Sequence, residues 1–343
     1  MISGAPDTTR PTASSSPKGL RRFSRLTCFS TLFLIFAGGM VTSTGSGLAV
    51  PDWPLSYGTL FPPMVGGIFY EHGHRMVATI VGFLVFCLSI WLGIKEKRRW
   101  VRHLGIAALA AVVLQGILGG LTVLFLLPMP VSVTHAVLAQ TFFVITIIIA
   151  YSLSLERHRR EFKPAIDYRG LTKMTVVLGT LIYLQLILGA LMRHTGSGLA
   201  IPDFPAMGGY WFPPFNGAML QHINDWRFEH DLPTVNIAQV ITHFVHRAGA
   251  LFITVTVVLL DVVALRERIT DKIIIRTIWM LNALVIGQFC LGVLTVLSEK
   301  SPHITSTHVM TGAATLGVTV LLLLRAAPLS WEKFKSTTFL KVL

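Results

Sequence analysis

Residues 76–94 read MVATIVGFLVFCLSIWLGI, nineteen consecutive positions without a charged side chain. A helix of that length, at about 1.5 Å per residue, is roughly as long as the ~30 Å hydrocarbon core of a bilayer is thick. Within lipid a helix satisfies its own backbone hydrogen bonds, so such a run predicts a membrane-spanning helix. Similar runs stand at 27–41 and 142–153. Eight segments of this kind are expected, near 25–43, 74–94, 104–126, 133–154, 171–192, 236–264, 275–297 and 305–327.

Composition agrees. Of 343 residues, 52% are hydrophobic and only 13% charged, less charge than a water-facing surface needs. The net charge of +13 raises the question of nucleic acid. Its distribution excludes that reading. All but five of the 29 Lys and Arg fall in the terminal segments and in alternate connections between spans. The five are Arg75, Arg193, Arg227, Arg247 and Lys300. Positive residues concentrate on the cytoplasmic side of membrane proteins, so both termini are expected there. The chain reads as multi-pass in a cell inner (plasma) membrane, or in the mitochondrial inner membrane of a eukaryote. The lipid bilayer is its first partner.

The three cysteines, Cys28, Cys87 and Cys290, fall in or beside spans, form no CxxC pair and read as small packing residues. The first apolar stretch lacks a convincing cleavage site and is kept as a span rather than a signal peptide. The Ser/Thr/Pro-rich residues before it are expected to be disordered, which makes 1–24 a tail.

The sequence repeats itself. TGSGLAVPDWP at 44–54 returns as TGSGLAIPDFP at 195–205. LQGILGGLTVL at 114–124 is echoed at 286–297, VTHAV at 133–137 by STHVM at 306–310, and HGHRM at 72–76 by FVHRA at 244–248. The second copy carries 21 extra residues between Pro205 and His246, compared with Pro54 to His74. Four spans per copy leave both copies facing the same way, a parallel repeat. The expected fold is an all-α integral membrane protein, eight transmembrane helices as two parallel-repeat four-helix bundles. The expected divisions are 1–24, 25–160, 161–328 and 329–343.

Four histidines occupy repeated positions: His74, His135, His246 and His308. Each falls near the outer end of an even-numbered span. One intramembrane histidine alone is usually a hydrogen-bonded structural residue. Four at matched positions, two per half, instead suit the axial ligation of haem iron. Few carboxylates and no cysteine stand near them, which disfavours a non-haem metal. Ala78, Ala139, Ala250 and Gly312, one turn further on, would let helices stand close to a porphyrin. Arg75 and Arg247 follow a histidine directly and are placed to bind propionates, or to pair with Asp52 and Asp203. Seven further histidines, His72, His103, His158, His194, His222, His230 and His303, read as solvated.

The halves also differ. Glu71 precedes His74 by three residues, and His243 holds the matching place before His246. A carboxylate beside a bound macrocycle can accept a proton or stabilise a developing cation. It can equally be a salt-bridge partner for Arg75 four residues on, or a residue favoured by the helix dipole. Position alone leaves these readings balanced.

Taken together, GGMVTSTGSGLAVPDWP, EHGHR, THAVLAQ, VHR and STHVMTG resemble the haem A synthases, a cytochrome oxidase assembly family, over roughly residues 25–327. The resemblance implies oxidation of the C8 methyl of haem O to a formyl group, giving haem A. It implies a haem b cofactor on His246 and His308, and a first pocket in which His74 and His135 receive the substrate haem O. All four histidines would then be iron ligands, with Glu71, His74 and His135 the catalytic set and Arg75 and Arg247 cofactor-binding. It further implies haem O synthase and cytochrome oxidase assembly as partners, with a separate electron donor or acceptor, and admits a homo-oligomer. Many members carry a cysteine pair in the first outer loop. Here Val50 and Ser56-Tyr57 stand in that region, so the chain resembles the cysteine-free subgroup. The rival readings are a di-haem b membrane electron carrier and a haem chaperone without substrate chemistry. A carrier across the bilayer would place haems at two depths, whereas all four histidines fall on one side.

Overall fold

The computed structural model describes residues 16–161 and 168–327. Among these the architecture is all-α. Eight long helices are apolar enough to cross a membrane: α1 (Lys18–Ser43), α2 (Gly66–Lys95), α3 (Arg99–Leu124), α4 (Met129–Ser152), α6 (Arg169–His194), α8 (Ile237–Arg266), α9 (Lys272–Leu297) and α10 (Pro302–Ala326). Two short helices, α5 (Leu155–Glu161) and α7 (Gly217–Glu229), join them.

Local chemistry sets several helix starts. Pro130 and Pro302 lie in the first turns of α4 and α10, where the missing N–H costs nothing. Asn236 and Gln239 form a reciprocal capping box on α8, and the Asp271 carboxylate accepts from Ile273 N at 2.8 Å to open α9. α1 begins at Lys18, so residues 18–24, read from sequence as tail, are its first turns. α2 begins at Gly66, two turns before the expected boundary at 74. The tail assigned to 329–343 lies outside the described residues.

Packing places the spans. α1 meets α2, α2 meets α3, α3 meets α4 and α4 meets α1; likewise α6 meets α8, α8 meets α9, α9 meets α10 and α10 meets α6. α1, α4, α6 and α10 also contact across these two sets. The first set packs around Val81, Val85, Leu88, Leu92, Phe142 and Ile149, the second around Leu171, Leu178, Val257, Leu260, Leu281 and Leu316. Where α4 meets α10, a Cβ on Gly317 would lie 2.7 Å from Ile147 Cδ1. Close approach through a small residue is how helices associate in lipid, where the hydrophobic effect no longer drives them together. Outward, Phe33, Phe83, Phe252, Trp279 and Ile286 are exposed, a surface stable only against hydrocarbon. The chain is a multi-pass membrane protein. At the basic end of the spans, Glu156 of α5 accepts from Arg325 at 2.7 Å and from Arg160 at 3.2 Å. The three cysteines are unpaired.

Candidate functional site

The repeated phrase folds the same way twice. Thr44 Oγ1 donates to Met40 O at 2.7 Å and Thr195 Oγ1 to Leu191 O at 3.0 Å, finishing α1 and α6. Gly45 and Gly196 follow with φ of +68° and +69°, the left-handed conformation that glycine adopts without strain. The Asp52 carboxylate accepts from Tyr57 N at 2.7 Å and Gly58 N at 2.8 Å; Asp203 accepts from Gly208 N at 2.6 Å and Gly209 N at 2.8 Å. Chiefly through the Gly58 N–H, the Asp52 carboxyl is held below its usual range. Both loops carry a cis X-Pro bond, at Trp53–Pro54 and Phe204–Pro205.

Arginine seats each loop on its helix. Arg75 donates to the carbonyls of Asp52 (2.7 Å), Leu55 (2.8 Å) and Val50 (3.2 Å), and to Glu71 Oε1 at 2.7 Å. Arg247 donates to Ile201 O (2.9 Å), Asp203 O (2.8 Å), Ala206 O (3.2 Å) and His243 Nε2 (3.3 Å). The sequence reading placed these arginines to bind propionates or, as the alternative, to pair with the carboxylates of Asp52 and Asp203. The backbone carbonyls take that place, because both carboxylates are occupied inside their loops. Glu71 and His243 are buried and do the same work: Glu71 Oε2 accepts from Val50 N at 2.8 Å, and His243 Nδ1 accepts from Ile201 N at 3.1 Å. The salt bridge between Glu71 and Arg75 is therefore present.

The four repeated histidines sit between the seventh and tenth residue of α2, α4, α8 and α10, alternate spans that run in the same sense. Each ring lies against a glycine of the preceding long helix. A Cβ on Gly38 would stand 3.1 Å from Cε1 of His74, on Gly119 3.5 Å from that of His135, on Gly189 3.3 Å from that of His246 and on Gly292 3.2 Å from that of His308. The missing side chains let the Cε1 atoms of four imidazoles come close to four helix backbones. His74 is within electrostatic range of His135, and His246 of His308. Nδ1 of His74, His135 and His308 is buried without a hydrogen-bond partner in the protein. Among the described residues no three His, Cys, Asp or Glu gather to hold a metal ion. Paired imidazoles without further protein ligands fit a group that brings its own equatorial ligands, as a porphyrin does.

A glutamine stands one turn before three of the four glycines: Gln115, Gln185 and Gln288. Gln115 Nε2 donates to His135 O at 2.9 Å and Gln185 Nε2 to His246 O at 2.7 Å. Gln288 Nε2 lies 3.4 Å from His308 Nε2. Gly312, read from sequence as room for a porphyrin, faces Gln288 Nε2 and Leu186. Sequence reasoning missed this shell, although Q-x-x-x-G recurs at 115–119, 185–189 and 288–292.

Other placements differ from the sequence reading. His72 is buried, with Nδ1 2.8 Å from Ser56 Oγ, not solvated. Trp53 packs on Gly120, beside the glycine under His135; Phe204 instead meets Phe289 edge-on at 6.1 Å. Arg193 of α6 crosses to α1, donating to Gly39 O at 2.9 Å and to Ser43 Oγ. Lys300, near Arg227 and Arg193, is held below the usual lysine range, chiefly by burial. α7 fills the extra outer segment, and Met219 and Ile223 of α7 pack with Ile201 and Val240 over the second loop.

Eight spans, a twice-folded loop and two pairs of half-buried histidines define a membrane protein built around paired imidazole sites. The sequence matches COX15-CtaA, the cytochrome oxidase assembly protein family, over residues 21–67 and 65–320, and the chain belongs to that family. It is similar to the haem A synthase of Halalkalibacterium halodurans, 25% identical over 302 residues, 85% of this chain and 92% of that protein. It is 27% identical to the haem A synthase of Bacillus licheniformis over 315 residues, 90% of this chain and 97% of that protein. With the haem A synthase of Bacillus pumilus it shares 29% identity over 287 residues, 82% of this chain and 86% of that protein.

Proposed function

We propose that the chain is a haem A synthase, an oxidoreductase that converts the C8 methyl of haem O to a formyl group. The observation that carries the reading is the fourfold pairing of a histidine ring with a glycine backbone, two pairs to each half. In this reading the two halves are parallel-repeat bundles, with His74 and His135 holding the substrate haem O and His246 and His308 holding a haem b. Bound haem supplies the redox chemistry, and the protein supplies position and electrostatics.

Each residue then has a task. The glycines let the ligands approach through narrow helix contacts. Arg75 and Arg247 bring positive charge to the haem edge while their N–H groups hold the loops closed over it. Glu71 is fixed by the Val50 N–H and by Arg75, and is placed to take a proton or to face developing positive charge. His243 occupies the matching place without a carboxylate, so only the first pocket reacts. In this reading the histidines lie on the outer side of the membrane and both termini in the cytoplasm, which the distribution of Lys and Arg supports. Haem O synthase supplies the substrate, and the product serves cytochrome oxidase assembly.

The test is the haem content of the purified protein by pyridine haemochrome spectra. His246→Ala and His308→Ala should lose haem b and retain the substrate-type haem. His74→Ala and His135→Ala should do the reverse. A protein without haem, or one in which all four variants lose the same haem, contradicts the two-pocket reading.

A further inference from the structure

Three of the four ligand histidines are met by a carboxamide from the helix before them, and His74 is not. Gln185 of α6 corresponds to Leu34 of α1, at the same spacing from Gly189 as Leu34 from Gly38. The facing position changes with it. A Cβ on Gly249 of α8 would meet Gln185 Oε1, so the amide fills the space that a side chain there would take. Gly249 stands three residues after His246, and three residues after His74 stands Val77. Leu34 and Val77 both pack against the apolar cluster of the first half. The second half has thus a matched Gln–Gly pair, and the first a matched Leu–Val pair.

We infer that His74 is the releasable ligand of the first pocket, an inference that rests on the haem-binding function proposed above. A substrate pocket must let its haem in and its product out, whereas a cofactor pocket must not. Release breaks one iron–nitrogen bond, with the electron pair staying on the imidazole and no change of oxidation state. The ligand that lets go is the one without a carboxamide tie to the helix before it. His135 is tied through its carbonyl to Gln115 at 2.9 Å, and His246 to Gln185 at 2.7 Å. Gln185 Nε2 also lies 3.2 Å from His246 Nδ1, an outer-shell contact of the kind that fixes a ligand's orientation. Around His74 there is no such tie from α1, where Leu34 stands in the glutamine's place. Leu34 and Val77 act as positioning residues through His74.

The test transplants the tie. Full-length protein is loaded with haem b, and transfer to excess haem-scavenging apoglobin is followed by absorbance. Wild type should lose haem in two phases, the faster one missing from His74→Ala. The double variant Leu34→Gln/Val77→Gly should slow that phase about three- to tenfold, the range one hydrogen bond provides. The reverse exchange, Gln185→Leu/Gly249→Val, should speed the slower phase by a similar factor. Gln115→Leu should speed the faster phase further. If either double variant does not fold, the other measures the same tie. Unchanged rates in a folded double variant overturn the inference while leaving the function intact. Absence of any His74-dependent haem spectrum would instead fail the function.

Discussion

Glu71 accepts the backbone N–H of Val50 at 2.8 Å, and this bond is repeated in the other half by His243 and Ile201 at 3.1 Å. One position therefore seats the loop in both halves, but carries a carboxylate in only one. Loop seating and acid–base chemistry can be separated at this residue. Glu71→His reproduces the arrangement of the second half. It should retain haem and a protease-resistant first loop, yet lose at least about a hundredfold in haem A formation, the low end for general acid–base catalysis. Glu71→Ala should lose both, because the buried Val50 N–H is left unpaired at a cost of about 1–3 kcal/mol. Haem A output undiminished in Glu71→His would remove the carboxylate from the chemistry.

The glycines under the histidines should be intolerant in a graded way. Gly38→Ala places a methyl 3.1 Å from the His74 ring, closer than carbon atoms ordinarily pack, and Gly119→Ala one at 3.5 Å from His135. Haem-to-protein ratios should fall more for Gly38→Ala than for Gly119→Ala. Valine at either position should abolish haem at the first pocket and spare the second.

Arg247 holds three carbonyls of its loop. Arg247→Ala should destabilise the protein by about 1–3 kcal/mol or more, seen as a lowered melting temperature in detergent and faster proteolysis near Pro205. Arg247→Lys should recover only part, since one ammonium cannot reproduce a planar fork.

Arg193 ties α6 to the Gly39 carbonyl and Ser43 hydroxyl of α1. Arg193→Met should weaken this junction and lower the melting temperature, while leaving the Soret spectrum of the second haem in place.

The Asp52 carboxyl titrates below its usual range because the Gly58 and Tyr57 N–H groups bind its ionised form. A depressed folded-state pKa stabilises the loop above the ordinary carboxylate range, and that contribution is lost as pH falls through the depressed value. Protection of the Gly58 amide, its exchange rate relative to the intrinsic rate at the same pH, should stay high through mildly acidic pH and fall only below the ordinary range. In Asp52→Asn the protection should be lower and should not change across that range.

Much of this was legible in the sequence. Uncharged runs such as 76–94 announce spans because lipid admits little else, and the histidine quartet shows through the repeat. What stayed hidden depends on pairs brought together across helices. Nothing local in Gly38 says that it lies under His74, thirty-six positions away. The repeat could have shown the glutamines, but the partner of Gln115 and Gln185 is a histidine carbonyl, which leaves no trace in side-chain chemistry. α2 runs two turns past its apolar stretch because Gly66, Gly67, His72 and Gly73 mask the helical period. α7 is short and amphipathic, without an apolar run to announce it. The carbonyls that engage Arg75 and Arg247 were not foreseen either, because they belong to a loop whose fold no single residue encodes.

The most direct test is chromatography of haems extracted from membranes that contain a haem O synthase, with and without this chain. The account predicts a formyl-bearing haem A only when the chain is present, lost in His74→Ala and in His246→Ala. Haem O alone in both membranes, with the protein folded and haem-loaded, would contradict it.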